Sequence, residues 1–158
     1  MTKLERILIS IGVVLVIFFA FFRLLVLFLM QDAPELGVQD GLFQPCPAEL
    51  TCVSSQIDPS DEEHSTEKIP NFMPIEGAVG TMKIIMKTMT GANLIEEDDQ
   101  YLHYEVHVQP FGFVDDIEFY VPCDRCYIEV RSSARIEYPG FNNNVRRVEM
   151  IRKRFTEY

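Results

Sequence analysis

The sequence predicts an α+β protein: one N-terminal transmembrane helix, then a two-layer domain of about four antiparallel strands with two helices. Three observations predict it. Residues 7–30 form an apolar run broken by a single charge, Arg23. Between residues 101 and 135, apolar and polar residues alternate with period two, the pattern of a half-buried strand. On either side of that stretch, over 76–90 and 143–157, apolar residues recur at helical spacing instead. The chain thereby divides into an anchor over 1–30, a proline-rich acidic linker with a cysteine loop over 31–75, and an α+β domain over 76–158.

At about 1.5 Å per residue the apolar run is long enough to cross a hydrocarbon core of about 30 Å. Its N-terminal flank carries Lys3 and Arg6 against Glu5, and its far flank carries Asp32, Glu35 and Asp40 and no base. Positive-inside bias then puts the N-terminus in the cytoplasm and residues 31–158 in the periplasm or another extracytoplasmic space. A single-pass, uncleaved anchor in the inner (cytoplasmic) membrane is expected over a signal peptide. The apolar region of a signal peptide is about 7–15 residues and ends in small residues, whereas Phe28-Leu29-Met30-Gln31-Asp32 offers no such site. Cys46, the first cysteine, lies too far beyond the run for a lipoprotein. Arg23 sits about 10 Å from the outer end by helical rise. It either snorkels to the headgroups or pairs with a group on a partner membrane helix, which makes it the candidate for a membrane partner.

The chain has a net charge of −10. Beyond residue 30 there are 11 Lys+Arg and 23 Asp+Glu, unevenly placed: residues 31–124 hold 3 bases and 19 acids, residues 125–158 hold 8 bases and 4 acids. So acidic a domain is a poor partner for nucleic acid. Its basic end can meet an acidic partner surface or a phosphate. Cys46, Cys52, Cys123 and Cys126 all lie outside the apolar run. In an oxidising compartment an even count suggests disulfides. Of the three connectivities, the local pairs Cys46–Cys52 and Cys123–Cys126 are the simplest, and a four-cysteine zinc site is the alternative. Cys123-Asp124-Arg125-Cys126 has redox-pair spacing, but its β-like flanks make it a hairpin tip. Tyr127 follows where haem attachment requires His.

Residues 31–75 are punctuated by Pro34, Pro45, Pro47, Pro59, Pro70 and Pro74, and Asp61-Glu62-Glu63 reads as a solvated loop. From Glu76 to Thr90, Val79, Met82, Ile85, Met86 and Met89 form a core-facing stripe that Gly91 stops. A short strand is expected at Asn93–Glu97. In Tyr101–Gln109, Leu102, Tyr104, Val106 and Val108 share one face, and Tyr101, His103, Glu105 and His107 share the other. Ile117, Phe119 and Val121 alternate with Glu118 and Tyr120. Cys126, Ile128 and Val130 point one way, and Tyr127, Glu129, Arg131, Ser133 and Arg135 the other. The closing helix, Asn143–Glu157, has the stripe Val145, Val148, Ile151 and Phe155, with Arg146, Arg147, Arg152, Lys153 and Arg154 on its polar side and Asn142 or Asn143 as cap. Both helices are expected to cover one sheet face and leave the polar alternates on an uncovered one.

Four segments carry a family resemblance: Gln44 to Ser55, Phe111 to Phe119, Ile128 to Arg135, and the Asn-x-x-Arg-Val-Glu run from Asn144 to Glu149. In this order they resemble the domain of unknown function 1499 family, over about residues 44–155. The resemblance implies an extracytoplasmic α/β-type module and singles out Asn144 and Arg147. The chain departs from the family pattern at Leu50-Thr51, where Pro-Asn is usual, and at Gly140 and Asn142, where Asp and Gly are usual. Cys123 and Cys126 are additions to it.

The chemistry-bearing residues are few. Asp115, Asp116 and Glu118 are expected to crowd against Arg131, Ser133 and Arg135, as a stabilising cluster or a site for a small charged group. Ser54 and Ser55 read as turn residues beside a disulfide, since no nucleophile elbow is present. His103 and His107, with Glu105 between them, lack a third metal ligand and read as surface histidines. No metal and no cofactor is expected. The function expected is non-enzymatic: a membrane-anchored extracytoplasmic accessory or scaffold module docking to an envelope protein or an integral membrane complex, with energy-transducing complexes among the hosts. The alternatives are a module binding a lipid or small apolar ligand, and a hydrolase using the Asp/Arg cluster.

Overall fold

A computed structural model describes residues 2–29, 34–47, 51–136 and 143–158. Met30, Gln31, Asp32, Leu50, Gly140 and Asn142, on which parts of the sequence reading fall, lie outside them. The chain is α+β. A long apolar helix, α1 (Lys3–Leu29), is followed by short strands β1 (Val38–Gln39), β2 (Leu42–Phe43), β3 (Cys52–Ser54) and β4 (Ile69–Pro70). Helix α2 (Ile75–Lys87), strands β5 (Ala92–Glu97), β6 (Tyr101–Val108), β7 (Phe113–Tyr120) and β8 (Tyr127–Ala134), and helix α3 (Asn143–Phe155) complete it.

Among the described residues the main sheet has six strands where about four were expected, and all its strand pairings are antiparallel. Its order is β3-β8-β7-β6-β5, with β4 pairing a second stretch of the β8 edge. The two extra strands come from the segment expected as a linker. They hold three and two residues, too few for a period-two signal. The rest of that segment adds the β1–β2 hairpin, which turns through Asp40 and Gly41 at positive φ.

Both helices pack on one face, as expected. Val53, Ile69, Leu102, Val106, Ile117, Phe119, Ile128 and Val130 from the sheet meet Ala78, Met82, Ile85 and Met86 from α2 and Val148, Ile151 and Phe155 from α3. The stop after α2 has a steric cause. Gly91 sits at φ +84°, and a Cβ there would lie 2.5 Å from the His107 carbonyl oxygen. Only glycine lets the chain enter β5 while its own carbonyl accepts from the His107 amide.

A second, smaller apolar cluster lies at the opposite end of the sheet from the Cys123–Cys126 tip. Val26 of α1 is buried there against Phe113 and Val114, with Phe22, Val108 and Ile136 beside them. One face of α1, Phe22 with Val26, therefore packs against the folded domain.

Candidate functional site

The alternation of β7 divides the expected Asp/Arg cluster between two faces. Residues i and i+2 share a face, so Asp115 points with Ile117 towards the helices, and Asp116 points with Glu118 away from them. Two separate polar networks result, both buried.

The network beneath the helices centres on Asp115, which is wholly buried. Arg147 of α3 donates to it at 2.6 Å. Arg147 also donates to Asn144 Oδ1 at 2.6 Å, and Ser132 Oγ donates to the same oxygen at 2.7 Å. Asn144 Nδ2 in turn donates to the Thr51 carbonyl at 2.9 Å. Arg147 thus faces the sheet, although helical spacing had put it on the polar side of α3. The charge on Asp115 explains why: a buried carboxylate needs a cation, and α3 supplies one.

The second network covers the other face. His103 Nε2 lies 2.8 Å from Asp116 Oδ1. Arg135 donates to both Asp116 oxygens, at 2.7 and 2.8 Å, and also to Glu105. One pairing step along, Glu118 accepts from Arg131 at 2.8 Å, from the Tyr101 hydroxyl at 2.8 Å and from the Gly37 amide at 3.0 Å. Next to it Glu129 accepts from Ser55 Oγ at 2.5 Å and pairs with Lys68 at 2.7 Å, whose ammonium also sits over the Tyr127 ring. Burial pushes the Asp116 carboxyl up, but Arg135 and His103 outweigh burial and hold it below the usual carboxylate range. Burial also opposes the Arg135 charge, and Asp116 and Glu105 more than restore it. Burial, with Glu118 beside it, raises the Tyr101 hydroxyl so far that it donates as a neutral phenol. The Glu129 hydrogen bond raises Lys68.

This face is not open. Asp116, Glu118, Arg131, Ser133 and His103 are all less than a tenth exposed. The segment after α1 helps close it: Gly37 reaches Glu118, and Gln56 ties the hairpin down by accepting from the Phe43 amide and donating to the Gly41 carbonyl. His103 is accordingly a buried partner of Asp116 and no surface histidine. His107, expected on the same face, lies 3.7 Å from Glu105. Ser54 belongs to β3, and the Ser55 hydroxyl bonds Glu129. Ser133 is buried and donates to the Ala134 carbonyl. The two cysteine pairs are Cys46–Cys52 and Cys123–Cys126, the local pairing.

Arg23 finds its partner inside the chain. Its Nη1 donates to the Pro110 carbonyl in the β6–β7 turn at 2.5 Å. Beside it the Phe111 ring packs on Phe19, Phe22 and Phe113, with centroids 5.8–6.3 Å apart. Sequence reasoning marked Arg23 but not this partner, because no local pattern links residues 87 positions apart. It also missed Tyr101, Glu105 and Glu129 as network members. The signal was available in the strand alternation, which puts all three on the face of Asp116.

A cleft of about 450 Å³ opens between the β1–β2 hairpin, the Cys46 loop and residues 54–64. Leu42, Phe43, Pro45 and Ile57 give it apolar walls, and His64 with Asp61 gives it a polar rim. The His64 hydrogen bond holds the Asp61 carboxyl below its ordinary range.

Residues 43–155 match the family described as Protein of unknown function (DUF1499). The chain belongs to the DUF1499 family. No curated protein and no solved structure matches it. The match runs from β2 to α3 and omits α1 and β1. The four segments that carry the DUF1499 resemblance meet at the network beneath the helices. Thr51 comes from the first, Asp115 from the second, Ser132 from the third, and Asn144 with Arg147 from the fourth.

Proposed function

We propose that this DUF1499 chain is a non-enzymatic, membrane-anchored extracytoplasmic accessory module that docks to an envelope or integral membrane protein. On this reading α1 is retained as a single-pass anchor in the cytoplasmic membrane, with its N-terminus inside. The observation that carries the reading is the joint between α1 and the domain. Val26 is only 3% exposed within the sheet-end cluster, and Arg23 is bonded to the β6–β7 turn. A leash for a freely diffusing catalyst needs no such joint. A module that must present one surface to a membrane partner does. The hydrolase alternative loses its motive, because Asp115 and Asp116 lie on opposite faces and each is bound to its own arginine.

Pull-down of the full chain in mild detergent, followed by mass spectrometry, tests this reading. A stoichiometric membrane partner that is lost when α1 is exchanged for an unrelated transmembrane helix is the expected outcome. Recovery of the chain alone, at native expression, overturns it. The cleft beside the β1–β2 hairpin favours a second reading, a small apolar ligand. Organic extraction of the purified protein would then release such a molecule in stoichiometric amount.

A further inference from the structure

Building on the anchored reading, we propose that the β6–β7 turn is itself a membrane element. Pro110 and Phe111 are seated in the outer leaflet beside α1, and the Arg23 side chain extends from below the hydrocarbon boundary towards the lipid phosphates. Helix α1 has 27 residues, about 40 Å of rise against a hydrocarbon core of about 30 Å. The Phe111 ring touches Phe19 and Phe22. To lift those two rings clear of the hydrocarbon, the roughly 20 residues that fill it would have to include Lys3, Glu5 and Arg6. Kept at the inner surface, these charges let the hydrocarbon begin near Ile7 and end near Leu27. Phe19 and Phe22 then lie well inside it, and Phe111 must lie with them. Phe111 keeps 40% of its surface free of protein contact, and at that depth acyl chains are what meets it.

Arg23 fits the same frame. It bonds a carbonyl, and among the described residues no carboxylate lies within ion-pair distance of it. The guanidinium keeps donors for an anion, and a lipid phosphate is the anion within reach of an arginine that extends outward from just below the hydrocarbon boundary. The turn is shaped to admit it. Gly112 has φ +81°, and a Cβ there would come within 2.7 Å of Arg23 Nη1. The rest of the domain stands above: β7 and β8 run away from this end for about 25 Å to the Cys123–Cys126 tip.

The chain contains no tryptophan, so single-tryptophan variants report cleanly. Phe111→Trp of the full chain is reconstituted in phosphatidylcholine–phosphatidylglycerol vesicles with brominated acyl chains. Phe72→Trp is the control, being 82% exposed and next to Met73, whose carbonyl accepts from Arg125 of the distal tip. Gln109→Trp, at an exposed position of the same turn, is the second probe should Phe111→Trp fold poorly. The turn probes are expected to emit to the blue, to lose most of their emission to bromine and to be shielded from iodide, with the control doing the reverse. Iodide access without bromine quenching at the turn, in protein whose intact mass retains α1, overturns the seat and leaves the anchor standing. An intact mass lacking α1 overturns both.

Discussion

Asp116 is where acid should act on this fold. Its carboxyl is held below the usual range in the folded protein, so on acidification the unfolded chain takes up the proton first. The stabilisation is complete above about pH 4, the unfolded value, and is lost as pH falls through the lower folded value. Asp116→Asn should therefore flatten the decline of the melting temperature below about pH 4 while lowering it at pH 7. Equal steepness in variant and parent would remove Asp116 from the account. Arg135 and Arg131 differ in what they leave behind. Arg135→Met takes the arginine from two carboxylates, Glu105 and Asp116, of which Asp116 keeps His103; removing one partner of a buried pair costs about 3–5 kcal/mol. Arg131→Met leaves Glu118 with the Tyr101 hydroxyl and the Gly37 amide, so its loss should be smaller. Chemical denaturation of both variants in detergent checks the order. Full stability with lost partner binding would mark the arginine as a contact residue instead.

At the scale of elements, the segment between α1 and β3 acts as a cover. Among the described residues the Gly37 and Phe43 amides tie it to the Glu118 and Gln56 side chains, and the Cys46–Cys52 bridge fixes one end to β3. So short a loop falls at or below the lower end of the usual 2–4 kcal/mol for a disulfide. Cys46→Ser with Cys52→Ser should consequently leave global stability nearly intact. Amide exchange at Gly37 and Phe43 should rise while that of β6 and β7 stays slow. Unaltered protection at Gly37 would show that the bridge does not hold the cover. This element was the least legible in the sequence. Helices α2 and α3 and strands β5 to β8 announce themselves by period, and Gly91 by its place after a stripe. Strands of two or three residues carry no period. Prolines suggested a linker where they in fact flank edge pairings, Pro70 being the last residue of β4. The arginines and acids were legible as a set. Their division between two faces follows from the parity of the β7 register, visible in Asp115 and Asp116 being neighbours. The burial of Asp116 and Glu118 was not legible, since it depends on what the covering segment does.

Over the whole molecule, charge and joint point the same way. The acidic flank and basic N-terminus of α1 put the domain outside on the anchored reading. Protease added to spheroplasts should then remove the domain from the membrane fraction, with the N-terminal residues protected. Protection of the domain until lysis would reverse that orientation.

The Cys46–Cys52 bridge also sets a reach. For a domain held by a retained α1, about 17 residues separate Leu29 from Cys46, and a fully extended chain covers about 3.3–3.6 Å per residue. If the contacts of Arg23, Phe111 and Val26 let go while the sheet stays folded, the domain can rise at most about 60 Å from the helix end. Opening the bridge would lengthen that leash by about 6 residues, roughly 20 Å. On the anchored reading, the oxidation state of two cysteines therefore sets how far from the bilayer a docking surface could stand and still be met.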